Sequence, residues 1–116
     1  MFLQLNHQQL DIYKMARIFV RDCYRMTTKL PPEEKFNLVT QIRRAALSVH
    51  LNINEGASRK SETERKRFYE IARSSLVEVD AALDIVSDLG YSTKEDLSDL
   101  ENSLVRCFSM LSKLIR

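Results

Sequence analysis

A chain of 116 residues is long enough to bury one core and too short for two domains, so residues 1–116 are read as a single domain. Only two glycines and two prolines leave little turn material for a fold of many short strands, and the Leu, Ala, Glu, Lys and Arg content indicates an all-α class. The net charge of +2 conceals an uneven distribution: residues 1–35 hold six Lys/Arg against four Asp/Glu, residues 36–73 eight against four, and residues 74–116 four against eight. That asymmetry suits a polyanionic partner for the basic part, unless the two parts complement each other within one fold or between subunits.

No stretch approaches the roughly 20 continuous apolar residues of a membrane span. The N-terminal run Met1-Phe2-Leu3-Gln4-Leu5-Asn6-His7 has no cationic n-region, apolar h-region or cleavage site, and a cytoplasmic location is expected.

Four helices follow in chain order. Ile12, Ala16, Phe19, Cys23, Met26 and Leu30 alternate spacings of four and three, as do Val39, Ile42, Ala46, Val49 and Ile53. The third seam is Phe68, Ala72, Ser75, Val79, Ala82, Val86 and Leu89, on the longest helix, about 28 residues. The fourth is Leu97, Leu100, Leu104, Cys107, Leu111 and Leu114. A 3.5-residue repeat keeps one apolar seam facing its neighbours in a left-handed bundle.

The breaks are equally readable. Leu30-Pro31-Pro32 should end the first helix, since a residue before proline is pushed out of the α region, and Pro32 should open the second. Gly56 is expected to close helix two in the left-handed conformation, and Gly90 to close helix three. Ser61 and Glu64 fit a capping box before helix three, and Ser92-Thr93-Lys94-Glu95 offers another before helix four. Short connections favour an antiparallel up-down-up-down four-helix bundle. Beside the seams lies a second apolar set that includes Leu10, Tyr13, Val20, Leu47, Leu51, Leu76, Leu83, Ile85, Val105 and Phe108. It either widens the core or marks a self-association surface.

The residues offer no arrangement for catalysis. Cys23 and Cys107 stand on seams without CxxC spacing, which fits buried hydrophobes rather than a metal or redox site. His7 and His50 are the only histidines and have no ligand-type spacing, so no metal is expected. Two isolated glycines cannot form a phosphate loop, and no nucleophile elbow occurs. Caps and ion pairs with Arg44, Arg67 and Arg73 account for Glu55, Glu64, Glu70 and Glu78. The expectation is a non-enzyme without cofactor.

Cations concentrate around the second turn. Arg59, Lys60, Arg65, Lys66 and Arg67 surround it, and Arg43 and Arg44 lie earlier on helix two. Clustered Lys/Arg neutralise phosphates independently of sequence, which indicates nucleic-acid binding. Tyr69 is the one neighbouring aromatic expected to face outward, so base stacking should be sparse and recognition should rest on shape and backbone.

The string Gln41-Ile42-Arg43-Arg44-Ala45-Ala46-Leu47-Ser48-Val49, then Asn52-Ile53-x-Glu55-Gly56, then Arg59-x-Ser61-x-x-Glu64-x-x-x-Phe68, continuing to Ser75 and Glu78, resembles the bacterial family of 23S ribosomal-RNA intervening-sequence proteins. The likeness runs from about Tyr13 to Leu114. It implies an antiparallel four-helix protomer in a ring-shaped homopentamer with a basic surface. The family includes the accessory variability determinant of diversity-generating retroelements, which works with a reverse transcriptase and binds nucleic acid. Two positions depart from the family pattern: Asn54 stands where alanine is usual, and Ser74 where glycine is common. Ser48, Asn52, Glu55, Glu64 and Glu78 are read as a structural polar network near the turn, with Asn52 on the apolar face fixing register.

Two functions remain open from the sequence. One is a homo-oligomeric module for structured RNA (or DNA) that uses the seven cations. The other is a scaffold that meets an acidic protein partner, for example a reverse transcriptase, without touching RNA.

Overall fold

The computed structural model describes residues 2–116; Met1, the first residue of the run read for a signal sequence, lies outside them. Among the described residues there are four α-helices and no strand: α1 (Asp11–Thr27), α2 (Leu38–Ala57), α3 (Glu62–Asp88) and α4 (Ser98–Ile115). Short 3-10 turns at Asn6–Gln9 and Pro32–Glu34 precede α1 and α2. Each helix packs on two others: α1 on α2 and α4, and α3 on α2 and α4.

The seams form the core. Ile12, Ala16, Phe19, Cys23, Met26 and Leu30 of the first are all buried, as are Ile42, Ala46, Val49 and Ile53 of the second. On α3 the buried stripe is rotated from the expected one. Tyr69, Leu76 and Leu83 are buried with Ala72, Ser75, Val79 and Val86, whereas Phe68 is half-exposed and Leu89 is exposed. Leu114 at the end of α4 is also exposed.

Contacts across the bundle are ordered by the short connections. On α2 and α3, Ser48 meets Ser75 and Gly56 meets Tyr69, so the sequences run past each other in opposite order. At one end Tyr91 Oη donates to Glu34 Oε2 at 2.9 Å, tying the α3–α4 connection to the α1–α2 connection. At the other, His7 Nε2 lies 2.7 Å from Asn54 Oδ1 and joins the N-terminal 3-10 turn to the end of α2.

Several boundaries differ from the sequence reading. α1 stops at Thr27, ahead of the prolines: the hydroxyls of Thr27 and Thr28 donate to the carbonyls of Tyr24 and Arg25, competing with continued helix. Pro32 opens only a 3-10 turn, and α2 starts six residues later at Leu38. Gly56 is helical and buried, not left-handed; of the two glycines, Gly90 has the positive φ, at 74°. There the chain closes α3 with Tyr91 N–H on Val86 O and Gly90 N–H on Ser87 O, the paired bonds of a Schellman motif. Only half of the first capping box forms: Ser61 Oγ accepts from Glu64 N–H at 3.3 Å. The second expected box does not start α4. Thr93 Oγ1 caps a turn through Asp96 N–H, and the helix begins at Ser98.

Candidate nucleic-acid interface

The α2–α3 turn is built by its own cations. Ser58 Oγ donates to Glu55 O at 2.9 Å, and Arg59 N–H to Gly56 O at 3.1 Å, which folds the chain over the end of α2. From the first turn of α3, Arg65 Nη1 reaches back to Lys60 O at 2.7 Å and Arg59 O at 3.2 Å. Arg65 therefore satisfies turn carbonyls left without helical partners. Arg59 is oriented twice. It pairs with Glu55 Oε2 at 2.9 Å, and its guanidinium carbon lies 5.0 Å from the Phe68 ring centroid, within cation–π range. Lys66 pairs with Glu62 at 3.2 Å.

The remaining cations divide by place. The side chains of Lys60 and Arg67 are exposed and form no hydrogen bond or ion pair with the described residues. Arg44 is likewise exposed and unpaired, but lies more than three helical turns from Ala57, roughly 20 Å along α2. Arg43 faces α1: its Nε donates to Thr27 Oγ1 at 2.8 Å and its guanidinium lies 4.8 Å over the Tyr24 ring. The structure thus brings Arg59, Lys60, Arg65, Lys66 and Arg67 together and leaves Arg43 and Arg44 outside the turn.

The aromatic expected outside is inside. Tyr69 is buried, and Phe68 is the half-exposed ring at the patch, already covered by Arg59. The reason is Gly56, whose missing side chain leaves space for the Tyr69 ring.

The polar motif separates in the same way. Asn52 Nδ2 donates to Ser48 O at 2.9 Å and Ser48 Oγ at 3.0 Å, and Ser48 Oγ lies 3.0 Å from Ser75 Oγ. This chain of contacts bridges α2 and α3 through the half-buried Asn52. Glu55 belongs to the turn through Arg59, while the Glu64 and Glu78 carboxylates are exposed and outside the bridge. The expected acid partners of Arg44, Arg67 and Arg73 are absent among the described residues. Arg73 instead donates to Ser112 Oγ at 3.2 Å and sits beside Phe108, linking α3 to α4.

One cationic feature escaped the sequence reading. Lys14, Arg17 and Arg21 follow i, i+3, i+7 spacing on α1, a pattern that looks like a solvated face until α2 is packed beside it. They border a groove with Ile18, Val20 and His50. No group of three or more His, Cys, Asp or Glu is placed to hold a metal ion among the described residues. No helix there is long and apolar enough to cross a membrane.

The model of the 23S rRNA-intervening sequence proteins matches residues 8–113 of the chain. Among solved structures, the chain resembles a protein of unknown function from the S23 ribosomal protein family of Bacteroides thetaiotaomicron VPI-5482. The TM-score is 0.80 at 20% identity, over 90% of this chain and 98% of that one. At that identity the likeness speaks for the fold. No curated protein matches the chain. With nearly its whole length matched and its four helices in place, the chain belongs to the 23S rRNA-intervening sequence protein family.

Proposed function

We propose that the protein is a non-enzymatic module that binds nucleic acid, structured RNA above all, through backbone phosphates at the α2–α3 turn. The observation that carries this reading is the division of labour among the turn cations. Arg65 and Glu55 hold the turn, Phe68 supports Arg59, and Lys60 and Arg67 keep free charged ends beside it. Cationic side chains with no internal partner, carried on a braced turn, suit an anionic backbone, and the sparse exposed aromatic surface at the patch argues against base stacking. The family's description, which names a ribosomal-RNA intervening sequence, supports RNA as the first ligand to test.

In this reading the up-down-up-down bundle assembles as a ring-shaped homo-oligomer, a pentamer by family resemblance. Exposed Val77, Val105 and Phe108 on the α3–α4 side supply the apolar contact surface. Multiple copies would array the turn cations around one rim and raise avidity.

The test is fluorescence anisotropy of a structured RNA across a salt series, with Lys60→Gln, Arg67→Gln and the double variant. Affinity should fall in each, and the slope of log affinity against log salt should flatten by roughly one unit per lost contact. Equal affinity and slope in the double variant would overturn the assignment. Absence of binding by the wild type at low salt would favour the scaffold with an acidic protein partner.

A further inference from the structure

We propose that the groove between α1 and α2, bordered by Lys14, Arg17, Arg21 and His50, is a phosphate-binding site distinct from the α2–α3 turn. Its volume is about 490 Å³, in the range of small-ligand sites and larger than a lone phosphate needs. The walls are Ile18 and Val20, and the charged side chains on its border are all cationic. Lys14, Arg17 and Arg21 are exposed, and their side chains form no ion pair or hydrogen bond with the described residues. The nearest acid in sequence, Asp22, is turned away to α4, where its Oδ2 accepts from Ser103 Oγ at 2.9 Å. Three uncompensated cations on adjoining turns, two of them guanidinium groups suited to phosphate oxygens, define the ligand's charge and geometry.

His50 supplies the directional element. Its Nδ1 is buried without a hydrogen-bond partner. A buried N–H left unpaired is rarer than an unpaired acceptor, so the favoured neutral tautomer leaves Nδ1 bare and places the proton on Nε2. Nε2 forms no internal hydrogen bond and is open to solvent, on the ring that lines the groove. The ring is held in place by Tyr13, at 4.9 Å between centroids. An Nε2–H donor beside the two guanidinium-bearing residues of α1 gives a phosphate oxygen a directional partner as well as charge. Burial, and next Arg17, hold the His50 pKa below its ordinary value, which keeps this donor neutral and leaves the positive charge to α1.

The site does not depend on nucleic acid binding at the turn, and the phosphate can come from a free phosphoryl compound or from a nucleic-acid backbone. The test follows the His50 ring resonances by NMR at constant ionic strength while inorganic phosphate, adenosine monophosphate or a short RNA without terminal phosphate is added. Wild type is compared with Arg17→Gln/Arg21→Gln, whose fold is checked by circular dichroism. Saturable shifts in the wild type, weakened about tenfold in the double variant, are expected. A response to the monophosphates alone identifies a free phosphoryl ligand, and a response to the RNA identifies the backbone; either supports the site. Lys60→Gln/Arg67→Gln should leave these shifts unchanged, which separates this site from the turn. Three results would overturn the proposal: equal shifts with chloride, no difference in the double variant, or shifts that track protein concentration because a second copy covers the groove.

Discussion

Gly56 and Tyr69 define each other's places: a Cβ added at Gly56 would lie 2.8 Å from Tyr69 Cε1, 3.0 Å from its Cδ1 and 3.1 Å from the Arg65 carbonyl oxygen. An aromatic ring carbon and a backbone oxygen cannot both withdraw cheaply. Removing a helical glycine ordinarily gains about 0.5–1 kcal/mol, but overpacking of this kind costs about 1–3 kcal/mol. Gly56→Ala should therefore lower stability in urea unfolding. In a Tyr69→Leu background the same substitution should cost less, because only the Arg65 carbonyl contact remains, giving a coupling in the double-mutant cycle. Equal effects in both backgrounds would show that the ring does not set the cost.

The bridge between α2 and α3 makes a second prediction. Ser48 Oγ contacts both Asn52 and Ser75, and Ser75 is buried. Ser48→Ala leaves the buried Ser75 hydroxyl without this partner and Asn52 Nδ2 with only the Ser48 carbonyl, and should cost about 1–3 kcal/mol. Adding Ser75→Ala to that variant should cost less than Ser75→Ala alone, because its partner is already gone. Additive losses in chemical unfolding would mean that the contacts act independently.

What the sequence made readable follows from periodicity, and what it hid follows from contact between helices. The first seam appeared intact because its six apolar residues, Ile12 to Leu30, keep one alternation of four and three and nothing nearby displaces it. On α3 the buried face turned from Phe68 to Tyr69, because the vacancy that receives the ring belongs to Gly56 on another helix. The same glycine was misread as a left-handed stop, since both roles leave the same letter in the sequence. The cation cluster at the turn was legible, but the commitments of Arg65 to carbonyls and of Arg43 to Thr27 were not. Nor was the α1–α2 groove, which needs His50 from a different helix to become a site.

The thiols give a third prediction. Cys23 and Cys107 are fully buried, and burial pushes Cys107 up to about 12 and raises Cys23 as well. The thiolate is the reactive form, so both should resist a disulfide reagent at pH 8 in the native protein and react on unfolding. Rapid modification of either thiol under native conditions would contradict the packed core between α1 and α4.

His50 sets the sign of a pH effect. Burial, then the charge of Arg17, lowers its folded pKa below the ordinary 6.5. As pH falls, the unfolded chain takes up this proton first, so the folded state loses relative stability from about pH 6.5 downward. The contribution is complete above that value and is lost progressively as pH drops through the folded pKa. His50→Gln should flatten this part of a pH series of thermal midpoints, while other titrating groups keep their own dependence. The series belongs in a phosphate-free buffer, because an anion beside Arg17 would offset the charge that opposes protonation. An unchanged pH profile in His50→Gln would show that the imidazole is solvated like a free histidine, and would remove the fixed ring from the groove.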